Sequence, residues 1–460
     1  MPPSSAPRRS RARGGFGSVP GPRQRYPGEF ALAIIRRPLA LFTELAQRYG
    51  DVAGIRIASQ PVVLVSHPDA IRDVLVTHGR LFHKGRGLER ARMLLGEGLL
   101  TSEDELHLRQ RRLAQPAFHR ARIAAYAETM STYAARRSEK WRDGEQFDVS
   151  REMAAYTLAV VGKTLFDADI EGEAHEIGEA LGAAIDAFNL SVLPFGELLE
   201  KLPIPTTLRF RRGRERLDAT IYRLIAERRA SGEDRGDLLS MLLLAQDIEG
   251  DGRGMSDRQL RDEAMTLLLA GHETTANLLA WTWYLLSQHP EVEATLHDEV
   301  DGVSSDQLGA DDLARLPFTR AVLTESMRLF PPAWILGRRA MEPYRVGDHE
   351  LPARTIVLAS QWVAHRDPRW WPEADRFLPA RWLPGGSALD PVRPKFSYFP
   401  FGAGTRVCIG EQFAWLEGTL ALATIARRWR LRLVPGTAVV PQPIVTLRVR
   451  GGLPMTAHAR

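Results

Sequence analysis

The chain of 460 residues contains one cysteine, Cys408. A single thiol excludes an intrachain disulfide framework and any metal site built on paired cysteines, and it fits a reducing compartment. Long apolar runs are also missing. Phe30–Phe42 comes nearest, and Arg36, Arg37 and Pro38 interrupt it, well short of the ~20 apolar residues of a membrane span. Arg8-Arg9 is not followed by the apolar region of an export signal. The expectation is therefore a cytoplasmic protein with no transmembrane anchor. Acidic residues are absent before Glu29, where Arg8, Arg9, Arg11, Arg13, Arg23 and Arg25 exceed the whole net charge of +5. Residues 1–28, rich in Pro, Ser, Gly and Arg, read as a disordered basic tail, solvated and without a nucleic-acid partner. No dinucleotide fingerprint occurs, because Gly402 and Gly404 are followed by Val407 where the third glycine belongs. Repeats of 20–50 residues are absent, and no Pro/Gly linker divides residues 29–460, which read as one domain.

What is present reads as mainly α with minor β. Pro38–Tyr49 carries helical periodicity. Gly54–Ile57 and Pro61–Ser66 read as two strands joined by a turn, and Asp69–Thr77 as helix. Helical spacing recurs at Leu106–Leu113, Ala121–Trp141, Ser150–Phe166, Ala174–Phe188 and Arg209–Ala230. The apolar, proline-interrupted stretch Asn189–Thr207 reads as a cover. Thr355–Ala359 and Val439–Val449 read as strands among loops.

Residues 256–288 form the longest helical pattern. Ser256 with Gln259 is a capping-box signature, and the apolar spacing runs to Gln288-His289-Pro290. Its middle contains Ala270-Gly271-His272-Glu273-Thr274-Thr275. An interior glycine costs ~1 kcal/mol against alanine. Threonine can bond back to the helix backbone, and Glu273 sits in a Leu- and Ala-rich stretch. Three local penalties within one turn point to function. The pair His272-Glu273 does not open a zinc-protease H-E-x-x-H, since Ala276 occupies the second histidine position.

Taken alone, Cys408 suits an inert buried thiol in a glycine-rich turn. Its surroundings argue otherwise. Phe401, Gly404, Arg406, Cys408 and Gly410 match F-x-x-G-x-R-x-C-x-G, and the stretch resembles the heme-ligand loop of the cytochrome P450 family. Ala270-Gly271-x-Glu273-Thr274 resembles that family's oxygen-binding groove, Glu325-x-x-Arg328 its E-x-x-R pair, and Phe377-Leu-Pro379-Ala-Arg381-Trp382 its F-x-P-x-R-W segment. His107-x-x-x-Arg111-Arg112 resembles its carboxylate-gripping helix. The motifs occur in the family's order, and the resemblance covers roughly residues 30–455.

The resemblance implies a cytochrome P450 fold and a heme b whose iron is held by the Cys408 thiolate, a soft ligand that favours O–O cleavage. Gly404 and Gly410 then allow backbone close to the porphyrin, and Phe401 packs beside the sulfur. His107, Arg111, Arg338 and Arg406 bind the propionates, with Arg339 the alternative to Arg338 because neighbours on a strand face opposite ways. Ala270 and Gly271 make room for O2, while Glu273 and Thr274 deliver protons. Glu325, Arg328 and Arg381 form a buried supporting triad. Two departures are Glu273, where many bacterial members have Asp, and Ala380, where Glu is usual.

The implied activity is insertion of one oxygen atom of O2 into a C–H or C=C bond. No reductase domain is expected in the 52 residues after Cys408, so a separate ferredoxin and ferredoxin reductase are expected to supply electrons to a monomer. Arg109, Arg112, Arg120, Arg122 and Lys395 are expected to form a basic docking patch. Apolar access segments by analogy, at 84–101, 188–205, 267–270 and 332–336, favour a lipophilic substrate such as a terpenoid, steroid or fatty acyl chain. The alternatives are a peroxide-using heme-thiolate peroxygenase or isomerase, against which Glu273-Thr274 argues, a non-catalytic heme sensor, which lacks an effector segment, and a structural helical protein without heme.

Overall fold

A computed structural model describes residues 16–167, 178, 180, 182, 204–247 and 252–460. Among the described residues the architecture is helical with four small sheets. The expected helix at 174–188 and the cover at 189–207 lie outside the described residues except at a few positions.

The central element is the helix Asp257–Gln288, 32 residues and ~48 Å long. The capping box forms as expected: the Gln259 amide donates to Ser256 Oγ (3.3 Å), and the Ser256 amide donates to the Gln259 side chain (3.0 Å). Against this helix lie Val149–Phe166, Pro205–Ser231, Pro317–Leu329 and Glu411–Ala426. Val149–Phe166 packs tightly against Gly271, where an added Cβ would sit 3.2 Å from Val161 Cγ2. Thr157 Oγ1 also donates to the His272 carbonyl (2.9 Å). The glycine thus lets two buried helices meet, a reason for it separate from oxygen binding.

The largest sheet is formed by β1 (Val52–Ile57), β2 (Gln60–Val65), β3 (Phe82–Lys84), β5 (Leu336–Ala340) and β8 (Ile356–Ala359), in the order β1-β2-β8-β5-β3. Only β2 and β8 run parallel, with Val62 opposite Ile356. Strand alternation explains its burial. Val63 and Val65 enter one core cluster with Phe82 and Tyr344, while Val62 and Leu64 enter another with Phe42 and Trp334. The other sheets pair β4 (Gln146–Asp148) and β9 (Trp429–Leu433) on either side of β12 (Pro454–Ala459), β6 (Tyr344–Val346) with β7 (His349–Leu351), and β10 (Pro441–Pro443) with β11 (Leu447–Val449).

Two expectations change. Residues 1–15 lie outside the described residues; of the rest of the expected tail, residues 23–28 are exposed, but the stretch before them packs in part against the sheet. Phe16 and Val19 are buried, and the Gly54 amide on β1 donates to the Pro20 carbonyl (2.8 Å). Gly54 makes the slot, since a Cβ there would lie 2.8 Å from Val19 Cγ1. The expected helix 69–77 is α only over Pro68–Arg72 and continues as a π-turn, Asp73–Thr77.

Candidate active site

The Cys408 loop is closed by its own backbone: the Cys408 amide donates to the Phe401 carbonyl (3.0 Å), and Ala414 N–H to Gly410 C=O (2.9 Å). Gly404 has φ +71, and a Cβ there would run into the Leu75 carbonyl of the π-turn. Its glycine therefore answers both a left-handed backbone and a neighbouring chain. The Cys408 residue is exposed, yet its thiol is surrounded by protein. Burial pushes it up to about 11, with the Gly410 amide pulling the other way. A thiolate there needs a cation on the sulfur.

The central helix is buried along Leu260–Leu268 and again at His272, Glu273, Thr275 and Ala276, whereas Ala270 is exposed and Gly271 and Thr274 are partly so. Residues 270 and 274 share one helix face, so exposure in mid-helix marks a cleft wall. Thr274 Oγ1 donates to the Ala270 carbonyl (2.8 Å), which holds the hydroxyl on that wall. Glu273 is turned aside. Its Oε1 accepts from Thr446 Oγ1 (2.5 Å) and Arg448 Nε (2.7 Å). A proton relay from Glu273 to Thr274 would need this carboxylate to leave Arg448. His272 is a core histidine that burial holds below its ordinary range, and no cluster of metal-ligating side chains occurs among the described residues.

The supporting triad is complete. Glu325 accepts from Arg328 Nε and Nη2 (both 2.8 Å), Arg381 Nε (3.0 Å), Trp382 Nε1 (2.8 Å) and the Leu378 amide (3.1 Å). The guanidiniums hold the segment leading to the loop: Arg328 donates to the His365, Ala374 and Arg376 carbonyls, and Arg381 to those of Pro372 and Glu373. Burial alone would raise Glu325, but the bond and charge of Arg328, then the charge of Arg381, hold it below the usual carboxylate range.

Beside the loop the expected carboxylate-binding set separates. Arg338 is buried, 6% exposed, whereas Arg339 points away to Glu89 (2.7 Å), as strand alternation requires. Arg406 pairs with Glu103 (2.9 Å) and donates to the Gly79 carbonyl. Arg111 donates to the Val407 carbonyl (2.7 Å), next to Cys408. His107 Nδ1 lies near the Leu99 carbonyl (3.1 Å) and Lys84 Nζ (3.4 Å). Its buried Nε2 faces the Thr405 backbone without a hydrogen bond of good geometry.

Sequence reasoning missed Lys84, Glu103, Thr446 and Arg448. Lys84 lies in Phe82-His-Lys-Gly, but one lysine carries no signal of burial. Its Nζ is held by the Leu99 (2.9 Å) and Ser102 (2.5 Å) carbonyls. Burial, with added repulsion from Arg406 and Arg338, pushes it down to about 7 despite Glu103. Burial and Arg406 push Arg338 to about 10, and burial and Lys84 push His107 to about 4.

These groups test the fit of a heme. Lys84, Arg338 and Arg406 gather around Glu103, and burial with repulsion from neighbouring cations lowers both Lys84 and Arg338. The His107 Nε2 and Arg406 Nε atoms are buried without partners. Two further carboxylates, such as propionates, would satisfy both the charge and the donors. With an exposed Cys408 and a central helix whose mid-length face is open around Ala270 and Thr274, the residues fit a flat iron cofactor with two acidic arms.

The Cytochrome P450 family profile matches residues 20–451. The chain belongs to this family, and it is a heme-dependent monooxygenase of it. It is 44% identical over 422 residues to cyclooctatin synthase of Streptomyces melanosporofaciens (91% of this chain, 90% of that protein). It is 40% identical to cyclooctat-9-en-7-ol 5-monooxygenase of the same organism (93% and 92%), and 36% identical to pentalenene oxygenase of Streptomyces avermitilis (91% and 92%). The retinoic acid-bound cyanobacterial CYP120A1 shares the fold, with TM-score 0.82 and 24% identity over 93% of this chain and 96% of that one.

The basic docking patch is weaker than expected. Arg112 is bonded to both oxygens of Asp247 (3.1 and 3.0 Å), and Arg109 lies 3.4 Å from the same carboxylate. Two of its five cations are thus partly neutralised. No described helix is long and apolar enough to cross a membrane.

Proposed function

We propose that the protein oxygenates a carbocyclic terpenoid by hydroxylation or epoxidation, drawing electrons from a separate ferredoxin and its reductase. The carrying observation is the agreement among relatives at 36–44% identity over more than nine-tenths of the chain, whose names specify cyclooctatin, cyclooctat-9-en-7-ol and pentalenene. One atom of O2 enters the product and the other leaves as water, with two electrons and two protons consumed. The cofactor proposed is heme b, which supplies O2 activation when bound, and the working form is a cytoplasmic monomer.

The chain's own residues then have distinct tasks. Cys408 ligates the iron. His107, Lys84, Arg338 and Arg406 fix the cofactor's carboxylates. Ala270 and Gly271 leave space on the cleft wall, and Thr274 holds a proton-donating hydroxyl there. Glu273 supplies protons once it exchanges Arg448 for Thr274 or a water. The Glu273–Thr274 pair supports O2 over hydrogen peroxide as the oxidant.

The test is turnover of carbocyclic terpene hydrocarbons and their mono-ols with a bacterial ferredoxin, its reductase and ¹⁸O-labelled O2. One labelled oxygen in the product is expected. Substrate-dependent spin-state changes confined to fatty acids or steroids would overturn the terpenoid assignment. Product formed only with added peroxide would overturn the redox-partner assignment.

A further inference from the structure

No motif includes Trp415 or Arg320. Trp415 stands on the helix Glu411–Ala426 that leaves the Cys408 loop, and it is 5% exposed. What covers its ring is a cation. The Arg320 guanidinium lies 3.4 Å from the ring centroid, and Arg320 itself is exposed, on the helix Pro317–Leu329. Trp415 also meets Phe401 edge-to-face, with centroids 5.4 Å apart and planes at 63°. The Phe401 carbonyl accepts the Cys408 amide at 3.0 Å. Packed atoms therefore run without a break from an exposed arginine through two aromatic rings to the backbone of the ligand cysteine.

Three segments distant in sequence converge to make this line. A guanidinium flat on an indole is a known favourable contact, which explains why the pair is stable. It does not explain why the line starts at the surface and ends at the cysteine. Electron transfer does, because electronic coupling falls off faster across gaps than through packed atoms and bonds.

We infer that Trp415 is the electron-entry residue: an acidic iron–sulfur donor docks over Arg320, and the electron passes through the Trp415 and Phe401 rings to the Cys408 loop. The inference rests on the separate-donor reading above. The first transfer oxidises the donor cluster by one electron and would reduce ferric iron held at Cys408 to ferrous; the second electron of the turnover would follow the same route. No proton moves, and Trp415 ends unchanged. The cation over the indole opposes removal of an electron from the ring, so the ring is a tunnelling medium and not a radical stop. Arg320 supplies the charge complementary to the donor, and it does so where Arg109 and Arg112 are already partly neutralised by Asp247.

The experiment measures first-electron reduction by stopped flow at saturating reduced ferredoxin, with CO to trap the ferrous form, and donor affinity by titration. Trp415→Leu should slow protein-driven reduction about tenfold or more, while Trp415→Phe stays within about threefold. Reduction by dithionite, which needs no docking, and the CO spectrum should match wild type in both. Arg320→Gln, a surface change, should weaken donor affinity several-fold. A Trp415→Leu protein reduced by saturating donor at the wild-type rate would overturn the route. So would equal slowing with dithionite, because it would locate the effect in the heme loop. If Trp415→Leu does not retain heme, unchanged affinity and rate in Arg320→Gln overturn the inference. A wild type reduced by flavodoxin and not by ferredoxin corrects the donor, and the same variants then decide the route with flavodoxin.

Discussion

Replacing Glu325 with glutamine tests the buried triad most directly. The carboxylate is fully buried, as is Arg328, and five N–H donors aim at it. An amide keeps the shape but removes the charge, offers one oxygen, and turns an NH2 group toward guanidiniums. Two or three donors then lose their acceptor, at ~1–3 kcal/mol each. Breaking a buried ion pair on one side costs ~3–5 kcal/mol by direct measurement in other proteins. These figures overlap, and a loss of ~3–5 kcal/mol is a large fraction of a typical total stability of ~5–15 kcal/mol. Glu325→Gln should therefore fold poorly or fail to retain heme. Urea unfolding followed by circular dichroism and heme absorbance measures it. Glu139→Gln is the control, because the Glu139–Arg428 pair is half exposed and such pairs contribute ~0–1 kcal/mol. The double change Glu325→Met with Arg328→Met should not restore stability, because Arg328 also holds the His365, Ala374 and Arg376 carbonyls. A Glu325→Gln protein within about 1 kcal/mol of wild type, with full heme content, would refute the assignment of the triad as the support of the loop.

Gly404→Ala forces a side chain into a left-handed position and onto the Leu75 carbonyl; it should cost a few kcal/mol and broaden or shift the heme absorbance, read by spectra and thermal melts. Thr274→Ala removes the hydroxyl held on the cleft wall; product per electron should fall and hydrogen peroxide should rise, whereas unchanged coupling would count against the relay. Burial, reinforced by Asp262, pushes Glu263 up to about 7, against the Leu99 amide and Lys84. A raised carboxylate means the folded state keeps a proton that the unfolded state has released, so stability should decline as pH rises from ~4.3 to ~7. Glu263→Gln should flatten that decline in urea midpoints measured across pH, and a slope equal to wild type would show that Glu263 is not its source.

The parts of this site legible in the sequence are those where local chemistry is unusual for its setting. Cys408 is the one thiol, Gly404 sits where only glycine fits both the backbone and its neighbour, and Gly271 with Thr274 weakens a helix that is otherwise well formed. Glu325 and Arg328 were legible by spacing. The strand alternation that left Arg338 and Arg339 open also separates them: Arg338 is buried beside the loop, and Arg339 pairs with Glu89. What was not legible arrives from elsewhere in the chain. Glu103 meets Arg406 across 303 residues, and Arg448 meets Glu273 across 175. Nothing in the local sequence of Lys84, Glu103 or Arg448 distinguishes a buried ion from a solvated one, because burial is decided by the partner. The consequence is physical. Motif residues define the proposed cofactor site, while charges from remote segments set the state of its groups: Glu273 is bonded to Arg448 and Thr446, so under the proposed relay that contact would have to break before a proton could pass to Thr274. A family motif of six residues on the central helix is therefore incomplete as a mechanism without β11, which no motif contains.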